Sequence, residues 1–157
     1  MKQTKYDVIC DVDGTLVDIE DRVKLATALA KDGKRMNWDV FLNPENMYDL
    51  DKPNEDVIEL VKSFIANGHR VIITSARNER HRAVTKKQLE DFGIKYTKLY
   101  LRADDDFRND ADVKEEILGE IREDGFDPQV AIDDRQRVVD RWRELGINCY
   151  QVRVTSV

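Results

Sequence analysis

A three-layer α/β sandwich around a parallel five-stranded sheet is the fold this sequence predicts, on three observations. Four glycines, Gly68, Gly93, Gly125 and Gly146, each close a stretch of helical periodicity, and each precedes a short apolar run. A glycine just past a helix end takes positive φ without steric cost, so the four mark a repeated unit of helix, turn and strand. The apolar runs are continuous rather than alternating, as in Val71-Ile72-Ile73, which fits strands buried on both faces. A length of 157 residues suits one domain around one core.

In chain order, the first strand is Tyr6 to Cys10, and the next, Arg70 to Thr74, comes about sixty residues later, where one crossover helix needs far fewer. Part of that gap is a helix with Val57, Ile58, Val61, Phe64 and Ile65 on one face. The rest, residues 19–53, is expected to form a small helical cap insertion beside the mouth of the sheet. Within it, Glu20 to Lys31 has helical spacing with Val23, Ala26, Leu29 and Ala30 inward. Residues 36–53 mix Trp38, Phe41, Leu42, Met47 and Tyr48 with Pro44 and Pro53. The third strand is Lys98 to Leu101. A helix carrying Val113, Ile117, Leu118 and Ile121 leads to the fourth, Val130 to Ile132. Another, with Val138, Val139, Trp142 and Leu145, leads to the fifth, Cys149 to Val152.

With 41% apolar and 37% charged residues the chain is neither fibrous nor of low complexity. Its net charge of −6 is the wrong sign for binding nucleic acid over the whole surface, so a polyanionic substrate needs a local positive cluster or a metal ion. Cys10 and Cys149 sit inside apolar runs and read as buried free thiols of a reducing compartment. The N-terminal apolar stretch before Asp11 is too short for a signal peptide, and no run reaches membrane-spanning length, so a cytoplasmic location without membrane contact is expected.

Ligands of open parallel sheets bind at the carboxyl ends of the strands. There lie Asp11-Val12-Asp13-Gly14-Thr15 after the first strand, Thr74-Ser75-Ala76-Arg77 after the second and Asp133-Asp134-Arg135 after the fourth. Lys114, with Asp110 one helical turn before it, lies on the helix between strands three and four. Four carboxylates gathered at one edge repel each other, so a pKa must rise or a cation be recruited. Oxygen ligands without clustered His or Cys suggest a hard ion, Mg²⁺. A calcium loop fits badly, because the glycine after Asp11 and Asp13 comes too early and Arg22 stands where the last ligand belongs. Such a set can do phosphoryl transfer. Asp11 attacks phosphorus, Asp13 protonates the leaving oxygen and later deprotonates water, and the Ser75 or Thr74 hydroxyl and the Lys114 ammonium hold the phosphoryl oxygens.

Taken in order, these elements resemble the four motifs of the haloacid-dehalogenase-like (HAD) phosphatases, over residues 6–135. Further matches narrow the resemblance to the phosphatase domain of bacteriophage-type polynucleotide kinase/phosphatase. They are Ser75-Ala76-Arg77, Asp110 ahead of Lys114-Glu115-Glu116-Ile117, Ala131-Ile132-Asp133-Asp134-Arg135 running into Val138-Val139 and Trp142-Arg143, and Gly146 with Cys149-Tyr150-Gln151-Val152. The resemblance implies a HAD-like, Rossmann-type fold and removal of 3′-phosphates from nucleic-acid ends, 2′,3′-cyclic phosphates included. It implies Asp11 as nucleophile, Asp13 as acid/base, and Mg²⁺ held by Asp11, Asp133, Asp134 and the Asp13 backbone carbonyl. Ser75 and Arg77 would contact the phosphate, supported by Thr74, with Gly14 and Thr15 on the substrate side. Lys114 would bridge nucleophile and phosphate, Asp110 would orient Lys114, and Arg22 would act from the cap. The chain departs from the family pattern at Ala76, where glycine is usual. No Gly-x-x-x-x-Gly-Lys-Ser/Thr loop occurs, so a kinase, if needed, is expected on a separate chain.

Two rival functions stay open at this point. A 5′-nucleotidase or small-metabolite phosphatase would keep the chemistry and change the substrate, and the acidic surface suits it. A receiver domain needs a lysine after its fifth strand, and none is there. Residues 77–87 set Arg77, Arg80, Arg82, Lys86 and Lys87 against Glu79, a track for a nucleic-acid backbone or one solvated helix face. Asp104-Asp105-Asp106 would repel a second phosphate if it faced the site. His69 and His81 are expected on an exposed loop and a helix surface.

Overall fold

A computed structural model describes residues 5–155. After β1 (Asp7–Cys10) come β2 (Val17–Asp18), α1 (Glu20–Ala28), α2 (Trp38–Phe41), α3 (Pro44–Leu50) and β3 (Lys52–Pro53). The chain continues through α4 (Glu55–Ala66), β4 (Val71–Asn78), a 3₁₀ turn at Glu79–His81, α5 (Arg82–Asp91), β5 (Lys98–Arg102), α6 (Asp110–Glu123), β6 (Pro128–Arg135), α7 (Gln136–Glu144) and β7 (Asn148–Thr155). The main sheet has the order β5-β4-β1-β6-β7, all parallel, and β2 pairs with β3 in a separate antiparallel ribbon. The chain steps outward from β1 through β4 to β5, then crosses back to β6. The order therefore reverses at β1, and the carboxyl end of β1 is the place where such sheets open a crevice.

Strand alternation sorts the core into two layers. Val8 and Cys10 of β1 join Val71 and Ile73 of β4 beneath α4 and α5, where Val57, Ile58, Val61 and Leu89 pack. Ile9 and Ile72 point the other way, into Ala111, Ile117, Leu118 and Ile121 of α6 and Val138, Val139 and Trp142 of α7. Each fully buried Val, Ile or Leu contributes about 1.5–3 kcal/mol, so both faces of the sheet are anchored strongly. The four helix-closing glycines all take positive φ, as their positions predict. Cys10 and Cys149 are buried and free. Among the described residues no helix is long and apolar enough to cross a membrane.

The structure corrects three expectations. The first helix of the 19–53 segment stops at Ala28, and Leu29 is 46% exposed. Its inward residues are Arg22 and Ala26, one turn apart, so a charged side chain takes the place expected of an apolar one. His81 is buried and lines a cleft with Leu42, Asn43, Pro44 and Arg80. His69 is half-buried, its ring 2.9 Å from the Tyr6 carbonyl.

Candidate active site

Continuing the alternation past Cys10 puts Asp11 on the α6 side of the sheet, and the step from Ile132 to Asp133 does the same on β6. Lys114, three-quarters of a turn before Ile117, rises from α6 between them. Its Nζ donates to Asp11 Oδ1 at 2.8 Å and to Asp133 Oδ2 at 2.7 Å, and all three groups are buried. Asp133 Oδ2 also accepts from Trp142 Nε1 at 3.2 Å. The β1 loop turns sharply, with the amides of Thr15, Leu16 and Val17 all aimed at the Val12 carbonyl. That turn brings Thr15 Oγ1 within 2.9 Å of Asp11 Oδ2 and 3.1 Å of Asp134 Oδ1. At its corner Gly14 has φ +80°, and a Cβ there would stand 2.3 Å from Asp134 Oδ2. Only glycine fits both the backbone and the space.

Carboxylate oxygens of Asp11, Asp133 and Asp134 lie within 4.8 Å of one another. Burial, then repulsion from Asp133, pushes the Asp11 carboxyl well above its ordinary range, against the pull of Lys114. Burial raises Asp134 likewise, although Thr155 Oγ1 donates to it at 2.8 Å. Burial alone would lower Lys114, but Asp11 and Asp133 together drive it up. Three carboxylates thus share one ammonium, and the donors are all hard oxygens. A dication such as Mg²⁺ fits this set in charge and in ligand type.

Asp13 faces the other way, into the segment between β2 and β3. Its Oδ1 accepts from Arg22 Nη2 at 2.7 Å and from Arg77 Nη2 at 2.7 Å, and Arg77 Nε lies 3.2 Å from both oxygens. Burial pushes Asp13 up, but the two guanidiniums outweigh it and hold the carboxyl far below its usual range. Behind them stands Asp51, its side chain fully enclosed. It accepts from Arg22 Nε and Nη2 at 2.9 Å each, from Arg77 Nη2 at 3.1 Å and from Gln88 Nε2 at 3.2 Å. Arg77 spends its remaining nitrogen on Thr85 Oγ1 and Gln88 Oε1, at 3.0 and 2.7 Å. Arg22 also lies over the Phe41 ring, 4.7 Å from its centre.

The sequence-expected residues therefore converge, with differences of detail. Ser75 is buried within β4 and its Oγ accepts from the Arg77 amide at 3.1 Å; the neighbouring Thr74 Oγ1 is buried without a partner. Thr15, expected on the substrate side, is fully buried and commits its hydroxyl to Asp11 and Asp134. Asp110 makes no hydrogen bond to Lys114. Its carboxylate accepts from Arg135 Nη1 and Arg137 Nε at 2.6 Å each, which ties α6 to the start of α7. Of the basic run 77–87, Arg77 is turned inward and Arg82 pairs with Glu79, leaving Arg80, Lys86 and Lys87 exposed. In the acidic run, Asp106 pairs with Arg108 and Asp104 accepts from the Arg80 amide. Sequence reasoning missed Asp51, Gln88 and Thr85, which lie in no motif, and the Trp142 donor, whose helical spacing with Val138 and Val139 reads as core.

Comparison with known proteins gives this arrangement a setting. The family model of the polynucleotide kinase PNKP phosphatase domain matches residues 27–156. A protein of Autographa californica nuclear polyhedrosis virus, named as a candidate bifunctional polynucleotide kinase/RNA ligase, is 31% identical over 143 residues, which cover 89% of this chain and 18% of that protein. A solved chain of the Pnkp1/Rnl/Hen1 RNA repair complex is similar with a TM-score of 0.78 and 30% identity, covering 98% of this chain and 44% of its own length. This chain thus spans less than half of each of these two relatives. A haloacid-dehalogenase-like hydrolase of Streptococcus pneumoniae shares the fold, with a TM-score of 0.66 at 15% identity over 94% of this chain and 84% of the other.

Proposed function

We propose, since this chain belongs to the family of polynucleotide kinase PNKP phosphatase domains and so to the HAD-type phosphoric monoester hydrolases, that it removes the terminal 3′-phosphate from nucleic-acid ends. The observation that carries the reading is the opposite setting of Asp11 and Asp13, two residues apart on one turn. Asp11 Oδ attacks phosphorus in line with the bond to the ribose 3′ oxygen. That bond breaks, and the departing oxygen takes a proton from the protonated form of Asp13, the minor form beside Arg22 and Arg77, which leaves Asp13 as the carboxylate. Water then attacks the aspartyl-phosphate, Asp13 takes its proton, and inorganic phosphate leaves. On this reading Lys114, which bonds Asp11, and the Ser75 hydroxyl would meet the charge that spreads over the phosphoryl oxygens, and Arg77, which bonds Asp13, would act on the leaving-group side. Asp11, Asp133 and Asp134, with the Asp13 backbone carbonyl, would hold Mg²⁺. When bound, the ion supplies the positive charge that lets a carboxylate approach an anionic phosphoryl group.

The nucleic-acid end is supported by the family and by the relatives, one named for a polynucleotide kinase/RNA ligase and one solved in an RNA repair complex. On this reading the domain acts beside kinase and ligase activities that other domains or chains supply. Arg80, Lys86 and Lys87 are the exposed cations nearest the site on the 3₁₀ turn and α5, and they suit a strand running out across that face. The test compares phosphate release from a 3′-phosphorylated oligonucleotide, a 5′-phosphorylated one and free mononucleotides. A preference for the 3′ end is expected, and no such preference would return the assignment to a nucleotidase.

A further inference from the structure

We propose that Asp51 is a positioning residue for the proton-transfer step, aiming Asp13 at the leaving oxygen through Arg22 and Arg77. The inference rests on the acid/base role given to Asp13 above. Asp51 touches none of the atoms that react, yet it is the group both guanidiniums share. Arg22 gives it a two-point bond through Nε and Nη2, which leaves a single Nη2 contact for Asp13. Arg77 splits Nη2 between the two aspartates. Two carboxylates and two guanidiniums balance, so Arg22 does not close on Asp13, which Arg77 alone meets at both oxygens.

Without that balance the geometry would change in a definite way. An Arg22 released from Asp51 would be a buried guanidinium with one carboxylate in reach, and its planar fork would seek both oxygens of Asp13. Asp13 would then be clamped from two sides and lose the freedom to turn an oxygen toward the ester. Gln88 reinforces the arrangement from α5: Nε2 donates to Asp51 Oδ2 and to the Met47 carbonyl at 2.8 Å, while Oε1 accepts from Arg77. The inserted segment and the sheet are thus joined through the residues that set Asp13, which makes the orientation of the acid depend on the inserted segment being docked.

The leaving group provides the test. An alkyl phosphate, such as a 3′-nucleotide end, departs as a strong base and needs a proton; 4-nitrophenyl phosphate departs as a weak base and does not. In Asp51→Asn, which keeps shape and removes charge, kcat on the alkyl ester is expected to fall about 10- to 100-fold, a part of the roughly 10²- to 10⁴-fold that general-acid catalysis supplies, and kcat on the aryl ester less than about threefold. KM is expected to stay nearly constant on both. Equal losses on the two esters, or a loss confined to KM, would overturn the proposal in favour of a merely structural salt bridge. If Asp51→Asn does not fold, Gln88→Met, which keeps the Asp51 charge and removes its neutral donor, carries the same test with a smaller leaving-group difference. A wild-type enzyme that prefers another alkyl phosphomonoester would overturn the 3′-end assignment alone, since the comparison runs equally well on that ester.

Discussion

Asp11 and Asp13 leave the same strand end two residues apart and enter opposite surroundings. Around Asp11 three buried carboxylates face one ammonium, and the Asp11 proton is held more tightly than usual. Around Asp13 two carboxylates face two guanidiniums, and the proton is held more loosely. One cluster is charge-complete with protein groups alone and the other is short by two positive charges. The difference teaches that two carboxylates two residues apart on one turn can be set oppositely: on the proposed function, the nucleophile would keep an unfinished charge environment for a cation and substrate to complete, and the acid/base a finished one.

Removing a carboxylate from each side breaks this comparison most directly. Asp11→Asn is expected to lower phosphate release by about 10⁴-fold or more, as loss of a covalent nucleophile does. In metal-free buffer the same change is expected to raise the melting temperature, since it relieves a buried repulsion; each 1 kcal/mol gained is worth about 2–4 °C in a chain of this size. Asp13→Asn also costs activity but is expected to lower the melting temperature, because it strands two buried guanidiniums. Calorimetry of both variants, with chelator present, decides it. If both shift in the same direction, the two clusters do not differ as described.

Metal dependence is the next largest effect. Chelation is expected to abolish turnover and Mg²⁺ to restore it. Mg²⁺ without substrate is expected to stabilise the protein by about 2.7 kcal/mol at a hundredfold excess over its dissociation constant. Asp134→Asn should lose that stabilisation and Asp51→Asn keep it, because only the first belongs to the unfinished cluster. Thermal shift with and without Mg²⁺ measures both.

Gly14→Ala tests how tightly the turn packs the two halves together. The new methyl group would meet the Asp134 carboxylate and force positive φ on an alanine, at an expected cost of about 1–3 kcal/mol in stability with a matching loss of Mg²⁺ response. Denaturant unfolding of the variant gives the first number and metal titration the second.

The unfinished cluster was largely legible in the sequence and the finished one only in part. Asp11, Asp133 and Asp134 announce themselves because each directly follows an apolar strand, and strand ends converge in a parallel sheet. Lys114 stands out by its place one helical turn after Asp110 and by the family resemblance. Asp51 had no such signal: it lies among Asp49, Lys52 and Pro53, and only the pairing of β3 with β2 carries it under Arg22. Arg22 itself occupies an inward helical position that periodicity reserves for an apolar residue, so the apolar pattern turned the face toward the neighbouring Val23. β4 and β6 run on through their motif residues to Asn78 and Arg135, since the polar residues there pair with β5 and β7, which hydrophobicity does not reveal. His81 is buried by Leu42 to Pro44 of the inserted segment, a contact between parts of the chain far apart in sequence.

The smallest expected effect is a difference in the pH dependence of stability, and its sign separates the clusters without any activity assay. Asp11 has a folded-state pKa above its ordinary 3.8, so its contribution to stability is fully present below that value and is lost as pH rises through the folded pKa. Asp13 has a folded-state pKa below 3.8, so its contribution is present above that value and is lost as pH falls toward the folded pKa. In metal-free buffer the stability gap between Asp11→Asn and the wild type is therefore expected to widen as pH rises from about 4 toward neutrality. The deficit of Asp13→Asn is expected to shrink as pH drops below about 4. Saturating Mg²⁺ should reverse the first trend, because the ion binds ionised carboxylates and favours the state that repulsion penalised, and leave the second untouched. Denaturation series at several pH values with and without Mg²⁺ measure both slopes. Parallel slopes in the two variants would mean that Asp11 and Asp13 share one electrostatic environment after all.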